Sequence, residues 1–251
     1  MRKKTIGLCL ILLLVAAAVL ALNAKSSTRQ GINGIVSEHP IPVWIKAVDF
    51  LSRHYHYKEL AWQITKDCAT QEERVLAIFK WTHENIRHDF PRGWPIYDDH
   101  VLNIIIRGFG TVDQTADVFT TLSTYAGVPA AMYQAFYDDT RKRTIMAAAD
   151  LNGRFVIFDP YYGNYFRNAK GELASIDDIL AEHTIVEKAQ NKPMIRGVAY
   201  EEYFKNLVPI DGFITLRAEL QMPMTRLKYE IKRKLGLTKK AILFYGARTF
   251  E

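Results

Sequence analysis

The chain has 251 residues, a formal net charge of +6, and is 49% hydrophobic and 24% charged. That length supports one domain with a substantial core, or one domain and an appendage, and the composition excludes a disordered or low-complexity chain. No solenoid-type repeat is present, and the modest positive charge favours acidic surfaces without singling out nucleic acid.

The chain opens on Arg2, Lys3 and Lys4 and then runs without charge from Ile6 to Leu22. About 17 apolar residues sit at the short end of what crosses a hydrocarbon core. The segment 1–24 therefore reads as a signal anchor or a signal peptide. Cleavage after Ala24 would place Leu22 where a small residue is preferred, so an uncleaved anchor is the favoured reading. The positive-inside rule then exports everything after it, giving a membrane-anchored, periplasmic protein, or a secreted one if the signal is cut. Cys9 lies within the apolar run. Cys68 is thus the lone exported cysteine, a buried free thiol or an intermolecular partner, and cannot staple the fold within one chain.

Residues 25–40 read as a linker, rich in Ser, Thr, Gly and Asn, and residues 41–251 as the folded domain with a C-terminal extension. Val43, Trp44, Ala47, Phe50 and Leu51 recur at nearly helical spacing. Thr70 and Glu73 form a T-x-x-E capping box ahead of a clearer helix carrying Val75, Ile78, Phe79 and Ile86. "PRGWPIYDD" breaks regular structure, and "HVLNIIIRGFG" approaches a helix running from Val112 to Ala126, stopped by Gly127 and Pro129. The period then changes. "AAMYQAFYDD", "RTIMAAADL" and "GRFVIFDPYYG" read as three strands, the last two joined by a hairpin turn. Beyond Gly171, "SIDDILAEH" and "YEEYFKNL" read as short helices, "DGFITLRAEL" as a strand, "MTRLKYEIKRKLG" as a basic helix and "KAILFYG" as a final strand. The order implies an α+β domain with a helix packed on an antiparallel sheet.

A glycine turn leading into a helix N-terminus, followed by a strand, a hairpin and a strand ending in Asp-Pro, is the trace of a thiol acyl-transfer site. There a cysteine thiolate is stabilised by the helix terminus, a histidine takes its proton and a carboxylate orients the histidine. On "GFGTVDQTADVFTTLSTYAGVPA" and "TIMAAADLNGRFVIFDPYY", with "RVLAIFKWTHENIRHD" as the lead-in helix, residues 60–168 resemble the bacterial transglutaminase-like domain of the papain-like superfamily. The resemblance implies that fold. It also places the cysteine position at Val112, the histidine position at Thr144 and the aspartate at Asp159, with Phe155 where the family usually has tryptophan. Valine offers no nucleophilic atom, and threonine is no general base near neutral pH. A pseudoenzyme follows, without a cofactor or metal, whose old cleft binds an envelope peptide, polysaccharide or protein partner and not nucleic acid. Asp113, Gln114, Tyr161 and Tyr162 are the cleft candidates. The rival reading is a hydrolase or acyltransferase using Asp159, Thr144 and Asp113.

Other groupings carry less. His54 and His56 fall on different sides of a helix. His83 and His88 could be gathered with Asp89, Asp98, Asp99 and His100 into a metal-binding loop, although surface or capping roles account for them as well. Asp159 before Pro160 can equally serve as a backbone-binding turn residue, and Tyr161, Tyr162 and Tyr165 as core aromatics. Arg226, Lys228, Lys232, Arg233 and Lys234, with Lys239 and Lys240, form either a solvated helix face or a contact for anionic lipid or an acidic polymer.

Overall fold

The computed structural model describes residues 2–32, 35–88, 100–138, 142–214, 216–238, 241 and 244–246. The chain divides within one long helix into two compact units, residues 2–53 and the remainder from residue 54.

The first unit begins with α1 (Arg2–Asn23). Its stretch Ile6–Asn23 has a mean hydropathy of 2.8 and no share of it is buried, which makes it a candidate membrane anchor or signal sequence. The residues expected as a linker instead pair as an antiparallel hairpin of β1 (Lys25–Ile32) and β2 (Ile35–Pro42), in register from Lys25 opposite Pro42 to Ile32 opposite Ile35. A ladder is made by backbone groups, so a Ser- and Thr-rich composition does not prevent it. The Asn33–Gly34 dipeptide, itself outside the described residues, is the sequence signal that favours such a hairpin. Next comes α2 (Val43–Thr65), much longer than the segment expected from periodicity, with Tyr57, Ala61 and Thr65 buried on its second half.

The second unit is built on α3 (Gln71–Asn85), α4 (Val101–Arg107) and α5 (Val112–Tyr125) against a sheet. The start of α3 is set by the capping box: Thr70 accepts from the Glu73 N–H at 3.1 Å and Glu73 accepts from the Thr70 N–H at 3.0 Å. The sheet contains β3 (Ala130–Phe136), β4 (Arg143–Leu151), β5 (Arg154–Asp159) and β6 (Asn164–Tyr165) as an antiparallel meander. Four short elements, α6 (Ile176–Ala181), α7 (Thr184–Glu187) and the paired β7 (Met194–Ile195) and β8 (Val198–Ala199), precede a 3₁₀ turn at Tyr200–Phe204. The chain closes with α8 (Pro223–Lys234) and β9 (Phe244–Tyr245), which adds to the free edge of β3 in parallel. The strand expected over 211–220 does not form among its described residues; the chain there is irregular and ends in a 3₁₀ turn at Glu219–Gln221. The edge of β3 that such a strand would need is taken by β9.

Period-2 alternation divides the sheet residues between two cores. Ala147, Ala149, Val156 and Phe158 face α3 and α5, meeting Ile78, Phe79, Phe119 and Leu122. Met146, Ala148 and Ile157 face the other way, toward Ile179, Tyr200, Tyr203 and Phe204. Both faces are covered, and α5 is buried on all sides from Gln114 to Thr124.

Candidate functional site

The glycine turn is shaped by what surrounds it. Gly108 closes α4 in the left-handed region at φ 69°, where glycine carries no Cβ penalty. A Cβ on Gly110 would stand 3.2 to 3.3 Å from the Gln114, Ile104 and Ile86 side chains, so a larger residue there would make these neighbours give by a few tenths of an ångström. Arg87 holds the turn from below: its N–H donates to Gly108 O at 2.9 Å and its carbonyl accepts from Gly110 N at 3.1 Å.

Val112 opens α5 half-buried. Asp113 is exposed and accepts from the Thr111 hydroxyl, a favourable place for a carboxylate at a helix N-terminus. Gln114 is buried, and its side-chain oxygen accepts from Thr111 N at 3.1 Å and from the Arg107 guanidinium at 2.6 Å. That oxygen is engaged in holding the turn. One turn further on, buried Asp117 pairs with Arg217 at 2.9 Å.

Register brings the other two positions together at one end of the sheet. β4 and β5 pair Ala147 with Phe158, so Thr144 near the start of β4 and Asp159 at the end of β5 lie at the same end. The far end of α5 is tied to the opposite end, where Thr124 Oγ1 accepts from Ala130 N at 3.2 Å and Ala130 is paired with Ala149. Val112 is the terminus of α5 farthest from that tie, roughly 20 Å along the helix. Thr144 is buried on β4, opposite Ala135.

Asp159 is fully buried, and its surroundings are the feature with the clearest chemistry. The Tyr200 hydroxyl donates to its Oδ2 at 2.8 Å, and the Tyr162 N–H donates to Oδ1 at 3.1 Å. Burial pushes its carboxyl up to about 6, against the opposing pull of the turn N–H groups, the Tyr200 hydroxyl and nearby His83. Tyr200 is raised well above the usual phenol range, first by burial and then by the Asp159 charge. The Asp-Pro turn thus works as a backbone-binding corner with a tyrosine lid.

Beside this corner is a groove of about 470 Å³ lined by His83, His88, Tyr161, Tyr162, Gln190, Asn191, Lys192 and Pro193. His83, at the end of α3, donates from Nδ1 to Pro160 O at 3.0 Å. His88 stacks on Tyr161 with ring centroids 4.0 Å apart, and the two histidine rings lie 5.7 Å apart. Gly163 makes room for this arrangement: a Cβ there would come within 2.7 Å of the His83 ring, and its φ of 73° also favours glycine. The far wall is pinned by Asn191, whose Nδ2 donates to Tyr162 O at 2.8 Å, and by Asn164, whose Nδ2 donates to Asn191 O at 2.6 Å. Lys192 Nζ donates to Glu187 O at 3.2 Å.

Of the expected cleft residues, Tyr161 and Tyr162 line this groove, whereas Asp113 and Gln114 belong to the α5 turn. His83 and His88 do approach one another, but no group of three His, Cys, Asp or Glu side chains among the described residues could hold a metal. Asp89, Asp98 and Asp99 of that candidate loop lie outside the described residues, and His100 is the N-cap of α4. Cys68 sits just before α3 while His83 is at its far end, about 20 Å away along the helix. Tyr200, Asn191 and Lys192 were not marked by any local pattern; they reach the corner only through the fold.

Residues 58–160 match the model of the transglutaminase-like superfamily, and over that span the chain carries a transglutaminase-like domain. It includes Val112, Thr144 and Asp159. Among solved structures, a candidate cysteine protease from Cytophaga hutchinsonii is similar at 18% identity and a TM-score of 0.37, over 49% of this chain and 41% of that one. A candidate protease from Parabacteroides distasonis is similar at 15% identity and a TM-score of 0.34, over 53% of this chain and 35% of that one. The chain thus spans less than half the length of either. No curated protein matches it.

Proposed function

We propose that this chain is a membrane-anchored, catalytically degenerate transglutaminase-like protein, its domain outside the cytoplasmic membrane, acting as a binding factor for an envelope peptide, polysaccharide or protein. The reading rests on one observation: the three positions where the domain would carry cysteine, histidine and aspartate hold Val112, Thr144 and Asp159. No atom at 112 can attack a carbonyl, and no group at 144 can take a proton near neutral pH. Triad members act as a unit, so losing two leaves binding and little else. Asp159, accepting from the Tyr200 hydroxyl and the Tyr162 N–H, supports a structural role for the one carboxylate that remains. The groove next to it offers what a binding site needs. Stacked His88 and Tyr161 give a flat aromatic wall for a sugar or peptide plane, and Asn191 and Lys192 give polar groups on the facing side.

The test is capture by the full-length chain from its own envelope, with analysis of the glycan and peptide that accompany it. Tyr161→Ala lowers recovery about tenfold if the groove is the site, equivalent to about 1.4 kcal/mol. Recovery of a covalently altered substrate supports the hydrolase or acyltransferase reading instead. A second test concerns the triad assignment. Val112→Cys with Thr144→His gains labelling by iodoacetamide at residue 112; an unreactive thiol there refutes the assignment of the positions.

A further inference from the structure

The first turns of α2 have their amphipathic character reversed. On a helical wheel Trp44, Val48 and Leu51 share one stripe, flanked by Val43 and Ile45, while Lys46, Asp49 and Arg53 take the other side. In water the first set would be covered. Here Trp44, Ile45, Val48 and Leu51 are 45%, 39%, 58% and 43% exposed. The Arg53 side chain is only 13% exposed and pairs with Asp49 at 2.5 Å. Lys46 Nζ donates to Ser27 O in β1 at 2.9 Å, so a polar side chain turns inward to the hairpin while the apolar face is left open.

The location of this face says what covers it. Val43 N donates to Ala24 O at 3.0 Å, joining the first residue of α2 to the residue just after α1. The hairpin closes on itself at the same place, with Lys25 opposite Pro42. The open face of α2 therefore begins where the apolar surface of α1 ends. A tryptophan and aliphatic side chains at that level, with Lys25 and Lys46 beside them, have the composition of a membrane–water interface. The face from Val43 round to Ile45 covers about 200° of the wheel, wider than the narrow seam that pairs two copies of a helix.

We propose that residues 43–51 of α2 lie in the headgroup layer of the bilayer that α1 crosses, with Trp44, Val48 and Leu51 toward the acyl chains. This rests on the reading of α1 as an anchor, and the experiment separates the two. The full chain is reconstituted in phosphatidylcholine–phosphatidylglycerol vesicles whose acyl chains are brominated near the headgroup. Subtracting the emission of the Trp44→Phe variant isolates Trp44. The expected result is at least roughly twofold quenching of the Trp44 emission by brominated lipid, with little quenching by aqueous acrylamide. Trp44 emission untouched by bromine but quenched by acrylamide overturns the proposal. So does emission untouched by both, with Val48→Cys cross-linking between copies, which would place a second copy on this face. Retention of the chain by vesicles through an alkaline wash reports on α1 separately. Retained protein with unquenched Trp44 refutes the α2 placement alone, and loss of the protein refutes the anchor and the placement together.

Discussion

Replacing Asp159 by asparagine isolates the ionisation of the buried carboxylate at the end of β5. Its pKa is pushed up to about 6 from a reference of 3.8 because the group is fully buried. A carboxyl whose folded pKa lies above its unfolded one binds its proton more tightly in the folded state. Its contribution to stability is therefore fully present below about pH 4 and is lost as pH rises through about 6. A displacement of about two pK units corresponds to about 3 kcal/mol, gone by pH 7 to 8. Asparagine keeps an oxygen to accept the Tyr162 N–H, and its amide can donate to a rotated Tyr200 hydroxyl, so the variant holds the corner without the charge. Urea unfolding of the full chain in detergent micelles, followed by near-UV circular dichroism from pH 3.5 to 8, measures the difference. The expected Asp159→Asn minus wild-type stability rises by about 3 kcal/mol across that range. Other carboxylates, such as Asp178 and Glu73, whose pKa values are lowered, cancel in this difference. A pH-independent difference would refute the claim that Asp159 ionises with strain inside a sealed corner.

Removing the Tyr200 hydroxyl with Tyr200→Phe takes away a charge-assisted donor and lowers stability at pH 7.5 by about 1.5–3 kcal/mol, with a smaller loss at pH 4, read from the same unfolding curves. Gly163→Ala forces a methyl against the His83 ring and a non-glycine residue into the left-handed region. It should reduce stability by about 1–3 kcal/mol and shift the His83 ring resonances in NMR. Thr70→Ala removes half of the α3 capping box, and thermal melting should show a loss of about 1 kcal/mol. Arg217→Ala deprives buried Asp117 of its guanidinium and lowers stability by roughly 1–2 kcal/mol, discounted because Arg217 is itself partly exposed, whereas Arg226→Ala on the exposed face of α8 changes it by less than about 0.5 kcal/mol. Equal effects from these two arginines would contradict the burial argument.

Local features of the chain determined a good deal by themselves. Thr70 and Glu73 mark the start of α3, and Gly108 and Gly127 frame α5. The alternation through Ala147 to Ala149 and Val156 to Phe158 marks strands with two buried faces. The residue types at 112, 144 and 159 are properties of the sequence alone. Caps, turns and periodicity act within one or two turns of chain, which is why they can be read without coordinates. What the tertiary structure decided depends on partners far away in sequence. Tyr200 closes over Asp159 from 41 residues downstream, His83 meets Pro160 from 77 residues upstream, and β9 takes the sheet edge in place of the strand expected over 211–220. The hairpin at residues 25–42 was marked only by the Asn33–Gly34 dipeptide, and the outward apolar face of α2 was hidden. Backbone pairing leaves little trace in side-chain composition, and a helix pattern fixes which residues share a face but not which face is turned to the core.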